Sequence, residues 1–177
     1  MTTQGYKDAL ISANTALALN KKSRFIGYGL RKGRALGTLI HVPQSQIIEM
    51  PVAENLLVGF AIGMAIKGYL PVVFIERMDF ALNAADAIVN HLDKISHKSR
   101  GEYSAAVILR CVVGNKSKPL FTGVTHTQDH SAAFRSMVSF PLVNLYSAAQ
   151  ITSAYQDADD RARVGTSTML VEYKDLI

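Results

Sequence analysis

The sequence predicts an α/β fold, a doubly wound and mainly parallel sheet with helices on both faces, in a single domain over residues 1–177. Three observations predict it. Short apolar runs alternate along the chain with stretches in which apolar residues recur every three or four positions, the pattern of strand and helix in turn. Two of the runs, 70–75 and 105–113, are almost continuously apolar, as strands covered on both faces are. The 177 residues are 49% hydrophobic and 19% charged, which supplies one core of ordinary domain size and excludes a disordered chain.

Each element carries its own signal. Residues 6–19 read as a helix, because Ala9, Leu10, Ala13, Ala16 and Leu17 share one face before the polar stop Asn20-Lys21-Lys22. Residues 24–29 read as a strand running into a glycine turn, 33–37 are unassigned, and 46–50 read as a second strand ended by Pro51. Residues 53–67 form a helix apolar on every side, the mark of a helix buried all round. Its Gly59 and Gly63, four apart, would let another backbone approach, from inside the core or from a second subunit. Gly68 is a C-cap signal, and 70–75 is a buried strand. Helical spacing returns over 79–95, 99–102 is a loop, and 105–113 is a buried strand containing Arg110 and Cys111. Glycine and proline punctuate 115–125 as a loop. A short helix over 129–138, a strand over 142–145, a helix over 147–163 capped by Ser147 and a last strand over 167–173 complete the chain.

Charge and composition exclude several function classes. The net charge of +5 is scattered in short groups such as Lys21, Lys22, Arg24 and Arg31, Lys32, Arg34, and Trp is absent, which argues against a nucleic-acid surface. The first residues have no basic segment followed by an apolar run, so no secretory signal is expected. The longest uncharged apolar stretch, 56–66, has 11 residues, against the ~20 a membrane helix needs. Cys111 alone can make neither an internal disulfide nor a zinc cluster, which points to a reducing, cytoplasmic setting.

Several constellations could carry chemistry. Gly27-Tyr28-Gly29 with Gly33, and Glu49 twenty residues after Gly29, loosely fit a dinucleotide loop and its ribose partner; the helix that should follow contains two further glycines, and no Walker loop is present. His126 and His130 have a spacing that on a helix would aim two imidazoles at one metal, but nothing nearby completes a ligand set, so no metal is assigned. His91 and His97 read as solvated, and Cys111 as an inert thiol in an apolar strand. Glu54 stands out. It occupies the first turn of an otherwise apolar helix, where it can complement the helix dipole, or can donate or share a proton at the edge of apolar surface.

Met50-Pro51-Val52-Ala53-Glu54, Gly59-Phe60-Ala61-Ile62-Gly63-Met64-Ala65, Gly68-Tyr69-Leu70-Pro71-Val72-Val73, Asp79-Phe80 and Ala87-Ile88-Val89-Asn90 follow one another in order. Ser99-Arg100-Gly101, Arg110, Gly114, Gly123-Val124-Thr125-His126-Thr127-Gln128 and Met169-Leu170-Val171-Glu172-Tyr173-Lys174 continue the series. Together they resemble the pyrimidine-binding domain of the transketolase-like thiamine diphosphate enzymes, most nearly the beta subunit of 2-oxoacid dehydrogenase E1 components. The likeness covers essentially the whole chain.

The resemblance implies specific roles. The glutamate matching Glu54 hydrogen-bonds the pyrimidine N1′ of thiamine diphosphate and so promotes deprotonation of the thiazolium carbon by the cofactor's own amino group. The aromatic matching Phe80 stacks on the pyrimidine, and the histidine matching His126 faces the substrate end, for proton transfer or carboxylate recognition. The diphosphate and Mg²⁺ are held in this family by a Gly-Asp-Gly segment on another domain, and these 177 residues contain none. A diphosphate-binding alpha-type subunit or domain is therefore the expected partner, in a homo- or hetero-oligomer, with the chain inactive alone. The expected reaction is oxidative decarboxylation of a 2-oxoacid; the alternatives are a split transketolase subunit moving a two-carbon ketol unit, and a non-catalytic interaction module. The chain departs from the family in carrying Tyr28-Gly29 where an acidic pair is usual and in placing Glu76-Arg77-Met78-Asp79 before the stacking aromatic; the family's C-terminal domain is not among these 177 residues, so a subunit of a split enzyme or a domain of a longer protein is expected.

Overall fold

Six parallel strands form one sheet in the order β2-β1-β3-β4-β6-β5 in the computed structural model, which describes residues 3–118 and 123–177. The strands are β1 (Ser23–Gly27), β2 (Ile47–Glu49), β3 (Leu70–Ile75), β4 (Ile108–Val113), β5 (Leu142–Asn144) and β6 (Thr168–Tyr173). The helices are α1 (Thr3–Ala18), α2 (Leu30–Gly37), α3 (Glu54–Ile66), α4 (Ile95–Lys98), α5 (Ser131–Met137) and α6 (Ala148–Arg163). The sequence expectation of a doubly wound parallel sheet is met, and its physical cause is visible in the strand alternation. Ile26, Val73, Ile75, Leu109, Cys111 and Val171 point to a core shared with α3 and α5. Phe25, Val72, Phe74, Ile108, Val112 and Leu170 point to a second core shared with α1, α2 and α6. The central strands β3 and β4 are buried along their whole length, so their sequences read as nearly continuous apolar runs, whereas the edge strands β2 and β5 are only partly covered.

Several local expectations are corrected, and one unassigned stretch is filled. The helix expected over 79–95 is not one helix: a 3-10 segment, Met78–Ala84, leads into a π-helical segment, Ala87–Leu92, and then α4. The second strand starts later than expected because Gln44–Gln46 make a 3-10 turn, with Gln46 Nε2 donating to the carbonyl of Asn20 at 2.8 Å. The unassigned stretch belongs to α2, whose Arg34, Ala35 and Leu36 all have positive φ, of 50°, 47° and 59°. Finally, α3 is not buried all round: Leu57, Val58, Ala61 and Ile62 are buried, but Leu56, Gly59, Phe60, Gly63 and Ile66 form an open face. A Cβ built on Gly59 or Gly63 meets nothing within 4 Å, so these glycines do not serve packing inside this chain.

The ends of the helices follow their sequence signals. Ser147 caps α6 by accepting the Gln150 N–H at 3.3 Å. Gly68, at φ 80°, ends α3 in a Schellman motif, in which Tyr69 N–H donates to Met64 O and Gly68 N–H to Ala65 O. The loop expected at 115–125 falls partly outside the described residues; its end, Gly123–His126, is a 3-10 turn. No helix among the described residues is long and apolar enough to cross a membrane.

Candidate active site at the carboxyl ends of the strands

The strand order reverses between β1 and β3, because β1 connects outward to β2 while β3 leads on to β4. In open parallel sheets such a switch point opens a crevice at the carboxyl ends of the strands, where the loops part to opposite faces. Tyr28 follows β1, Glu76 and Arg77 follow β3, Gly114 follows β4, and α3 begins with Glu54 after a short loop from β2. The residues singled out from the sequence therefore converge on one end of the sheet, although they come from stretches as far apart in the chain as Tyr28 and His126.

Glu54 is 3% exposed. Its Oε2 is 3.5 Å from Asn83 Nδ2, the limit of a hydrogen bond, and its Oε1 is buried with no partner at all. A buried carboxylate normally has both oxygens satisfied. Dipole complementarity at the first turn of α3 explains its sign. It does not explain an orphaned oxygen. Tyr28 lies close enough for Glu76 and Glu54, after burial itself, to push its phenol well above the usual tyrosine range and keep it neutral.

Phe80 lies in the 3-10 segment that packs on α3. Its ring meets the His126 imidazole edge-on, with centroids 5.0 Å apart and planes at 87°. Sequence reasoning named both residues without any signal that they touch. It gave no role to Asp79 and Gln128, which join these two segments: Asp79 Oδ1 accepts from Gln128 Nε2 at 2.9 Å and from its N–H at 3.3 Å. Gly114 completes the arrangement. A Cβ there would lie 1.8 Å from the His126 carbonyl oxygen, so only glycine lets the turn sit against the end of β4.

The weaker sequence readings separate cleanly. Glu49 cannot serve a ribose: its two oxygens accept the N–H groups of Gly29 and Arg31, so it occupies the start of α2, where a pyrophosphate would have to sit. His130 is the N-cap residue of α5 and His126 lies in the preceding turn, so the two do not share a helix face. Among the described residues no three His, Cys, Asp or Glu side chains group as metal ligands. His91 and His97 are exposed. Cys111 is fully buried, and burial pushes its thiol up to about 12, which leaves it an inert core residue.

Comparison with known proteins agrees with this fold. The family model for the transketolase pyrimidine-binding domain matches residues 14–176. The chain is 33% identical over 88 residues to 3-methyl-2-oxobutanoate dehydrogenase subunit beta of Mycobacterium tuberculosis, covering 50% of this chain and 23% of the relative. It is 27% identical over 119 residues to 2-oxoisovalerate dehydrogenase subunit beta of Pseudomonas aeruginosa, covering 66% and 33%. With the mitochondrial pyruvate dehydrogenase E1 component subunit beta of Saccharomyces cerevisiae it shares 28% over 112 residues, covering 63% and 30%. The matches thus span a third or less of these curated relatives. A solved split-gene transketolase, an inactive beta4 tetramer, superposes with a TM-score of 0.71 at 18% identity, over 98% of this chain and 52% of that one, and so shares the fold. A family match over nearly all of the sequence, on this sheet and with these motifs at the carboxyl ends of its strands, leaves one conclusion: the chain belongs to the transketolase pyrimidine-binding domain family.

Proposed function

We propose that residues 1–177 act as one pyrimidine-binding domain, the E1 beta-like half of a thiamine diphosphate-dependent enzyme that oxidatively decarboxylates a 2-oxoacid. The observation that carries this reading is the orphaned Oε1 of buried Glu54, an acceptor with no partner in its own chain. Such a carboxylate fits a heterocyclic nitrogen that can share a proton. When bound, thiamine diphosphate supplies the carbanion chemistry. The chain's own work is proton management and positioning. Glu54 holds the shared proton at Oε1, Phe80 offers an aromatic surface from the 3-10 segment packed on α3, and His126, edge-on to Phe80, transfers a proton or receives the substrate carboxylate.

Diphosphate and Mg²⁺ ligation falls to a diphosphate-binding alpha-type partner, and the open apolar face of α3 supports association with it or with a second copy. The buried free thiol of Cys111 is compatible with a reducing, cytoplasmic setting. The test is co-purification with the product of the adjacent gene, followed by thiamine diphosphate binding and parallel assays for oxidative decarboxylation and ketol transfer. Decarboxylation is the expected activity. Ketol transfer would reassign the chain to a split transketolase, and a complex that neither binds the cofactor nor turns over would make it an interaction module.

A further inference from the structure

We propose that Asp79 is a positioning residue for His126, acting through Gln128; the inference rests on the reading of this crevice as the cofactor and substrate site. Besides the Thr125 hydroxyl, 3.1 Å from the imidazole Nδ1, three contacts from elsewhere in the chain hold the His126 turn. Below it, Gly114 permits the His126 carbonyl to press against the end of β4. Beside it, the Phe80 ring meets the imidazole edge-on. Beyond it, two residues along, Gln128 gives both its N–H and its side-chain amide to Asp79 Oδ1. Asp79 directly precedes Phe80, so a single 3-10 segment carries both the ring that meets the imidazole and the carboxylate that restrains the loop bearing it.

Burial shows which partner is the fixed one. Asp79 is 8% exposed, while Gln128 is exposed, so the carboxylate is the anchor and the amide is the end it restrains. A buried carboxylate loses charge-assisted hydrogen bonds at high cost, because no water replaces them. The pair therefore keeps the turn from swinging away from Phe80, and Phe80 and His126 shift as one unit. Of the four residues 76–79 that precede the aromatic, Asp79 bonds across to the histidine loop, whereas the Arg77 guanidinium turns back on Glu76, at 2.6 Å to its carbonyl and 3.3 Å to its carboxylate.

The test reads the imidazole directly, on the full chain without cofactor. In a T-shaped pair the ring current of Phe80 displaces the His126 proton resonances, and Phe80→Leu defines where they lie without it. Asp79→Ala is expected to move the His126 resonances most of the way to the Phe80→Leu position. Asp79→Asn, which keeps an acceptor for Gln128, is expected to leave them near wild type. Gln128→Ala, at an exposed position that folding tolerates, is expected to move them part of the way, since its main-chain N–H still reaches Asp79. A folded Asp79→Ala with wild-type resonances overturns the proposal, as does Asp79→Asn behaving like Asp79→Ala. Where Asp79→Ala does not fold, Gln128→Ala decides: unmoved resonances overturn the proposal and moved ones support it. Failure of thiamine diphosphate to bind the assembled protein would overturn the proposed function while leaving this measurement unaffected.

Discussion

The guanidinium of Arg110 and the carboxylate of Glu172 meet at 2.7 and 3.0 Å with neither side chain exposed, tying β4 to β6 on the sheet face covered by α1, α2 and α6. Thr38 Oγ1 accepts from Arg110 at 2.9 Å, Tyr155 OH donates to Glu172 at 2.6 Å, and the guanidinium lies 5.1 Å from the Phe74 ring centroid. Arg110 Nη1 is buried without a partner, so the network is not fully satisfied. Removing one charge strands the other. Arg110→Met should destabilise the chain by about 3–5 kcal/mol, whereas Arg110→Met with Glu172→Leu should recover much of that loss, because a paired apolar replacement leaves no buried charge. Urea unfolding of the three proteins measures both steps.

Gly63 stands on the open face of α3, where an added side chain meets nothing in its own chain. Gly63→Leu should therefore leave the fold intact and even stabilise it by about 0.5–1 kcal/mol, since glycine is a poor helix residue. The same change should abolish association with the partner or a second copy. Thermal melts and sedimentation separate the two effects, and a destabilised variant that still assembles would show that α3 is not the interface.

For the assembled enzyme, Glu54→Gln should reduce turnover by about 10²–10⁴-fold, the usual size of a lost proton-transfer group. Stability should change little, because the amide keeps the shape of a side chain whose Oε1 has no partner to lose. Steady-state kinetics beside a denaturant titration checks both halves. Near-normal turnover would remove Glu54 from the site.

Asp93 links the segment after Ala87–Leu92 to the approach to β5: its Oδ1 accepts the Ser139 N–H at 2.8 Å and hydroxyl at 2.7 Å, and its Oδ2 lies 2.5 Å from Lys94 Nζ. Burial opposes its charge, but the hydrogen bonds from Lys94 and Ser139 outweigh it and hold the carboxyl below the usual range. A lowered folded-state pKa stabilises the fold in full above the unfolded value, and that stability is lost as pH falls through the folded one. Stability should thus decline as pH falls below the ordinary aspartate value of about 4. Asp93→Asn should flatten part of that decline in urea midpoints taken across the range, and an unchanged slope would show that Asp93 does not contribute to it.

What could be read along the chain was whatever depends on near neighbours. Residues 70–75 are apolar without interruption because β3 is covered on both faces, and Ser147 and Gly68 announce helix ends through bonds that span only a few residues. The 79–95 stretch kept helical spacing yet changes hydrogen-bond register twice, because apolar periodicity tolerates 3-10 and π turns that the packing against α3 and the sheet selects. Arg110 and Glu172 were legible as charges inside apolar strands, but their pairing required the β4–β6 register.

Within the site, Glu54, Phe80 and His126 could be named from sequence motifs because each sits in a recognisable local stretch. Their mutual geometry could not. The 5.0 Å contact between Phe80 and His126, the Asp79–Gln128 bond and the demand for glycine at 114 link positions 12 to 49 residues apart. The same limit applies to α3. Its composition by itself determined an apolar helix with two glycines on one side, but composition counts only what is apolar. Which side meets the sheet and which stays open was decided by the tertiary structure, because the parallel crossover from β2 to β3 turns Leu57, Val58, Ala61 and Ile62 inward and leaves Gly59 and Gly63 facing out.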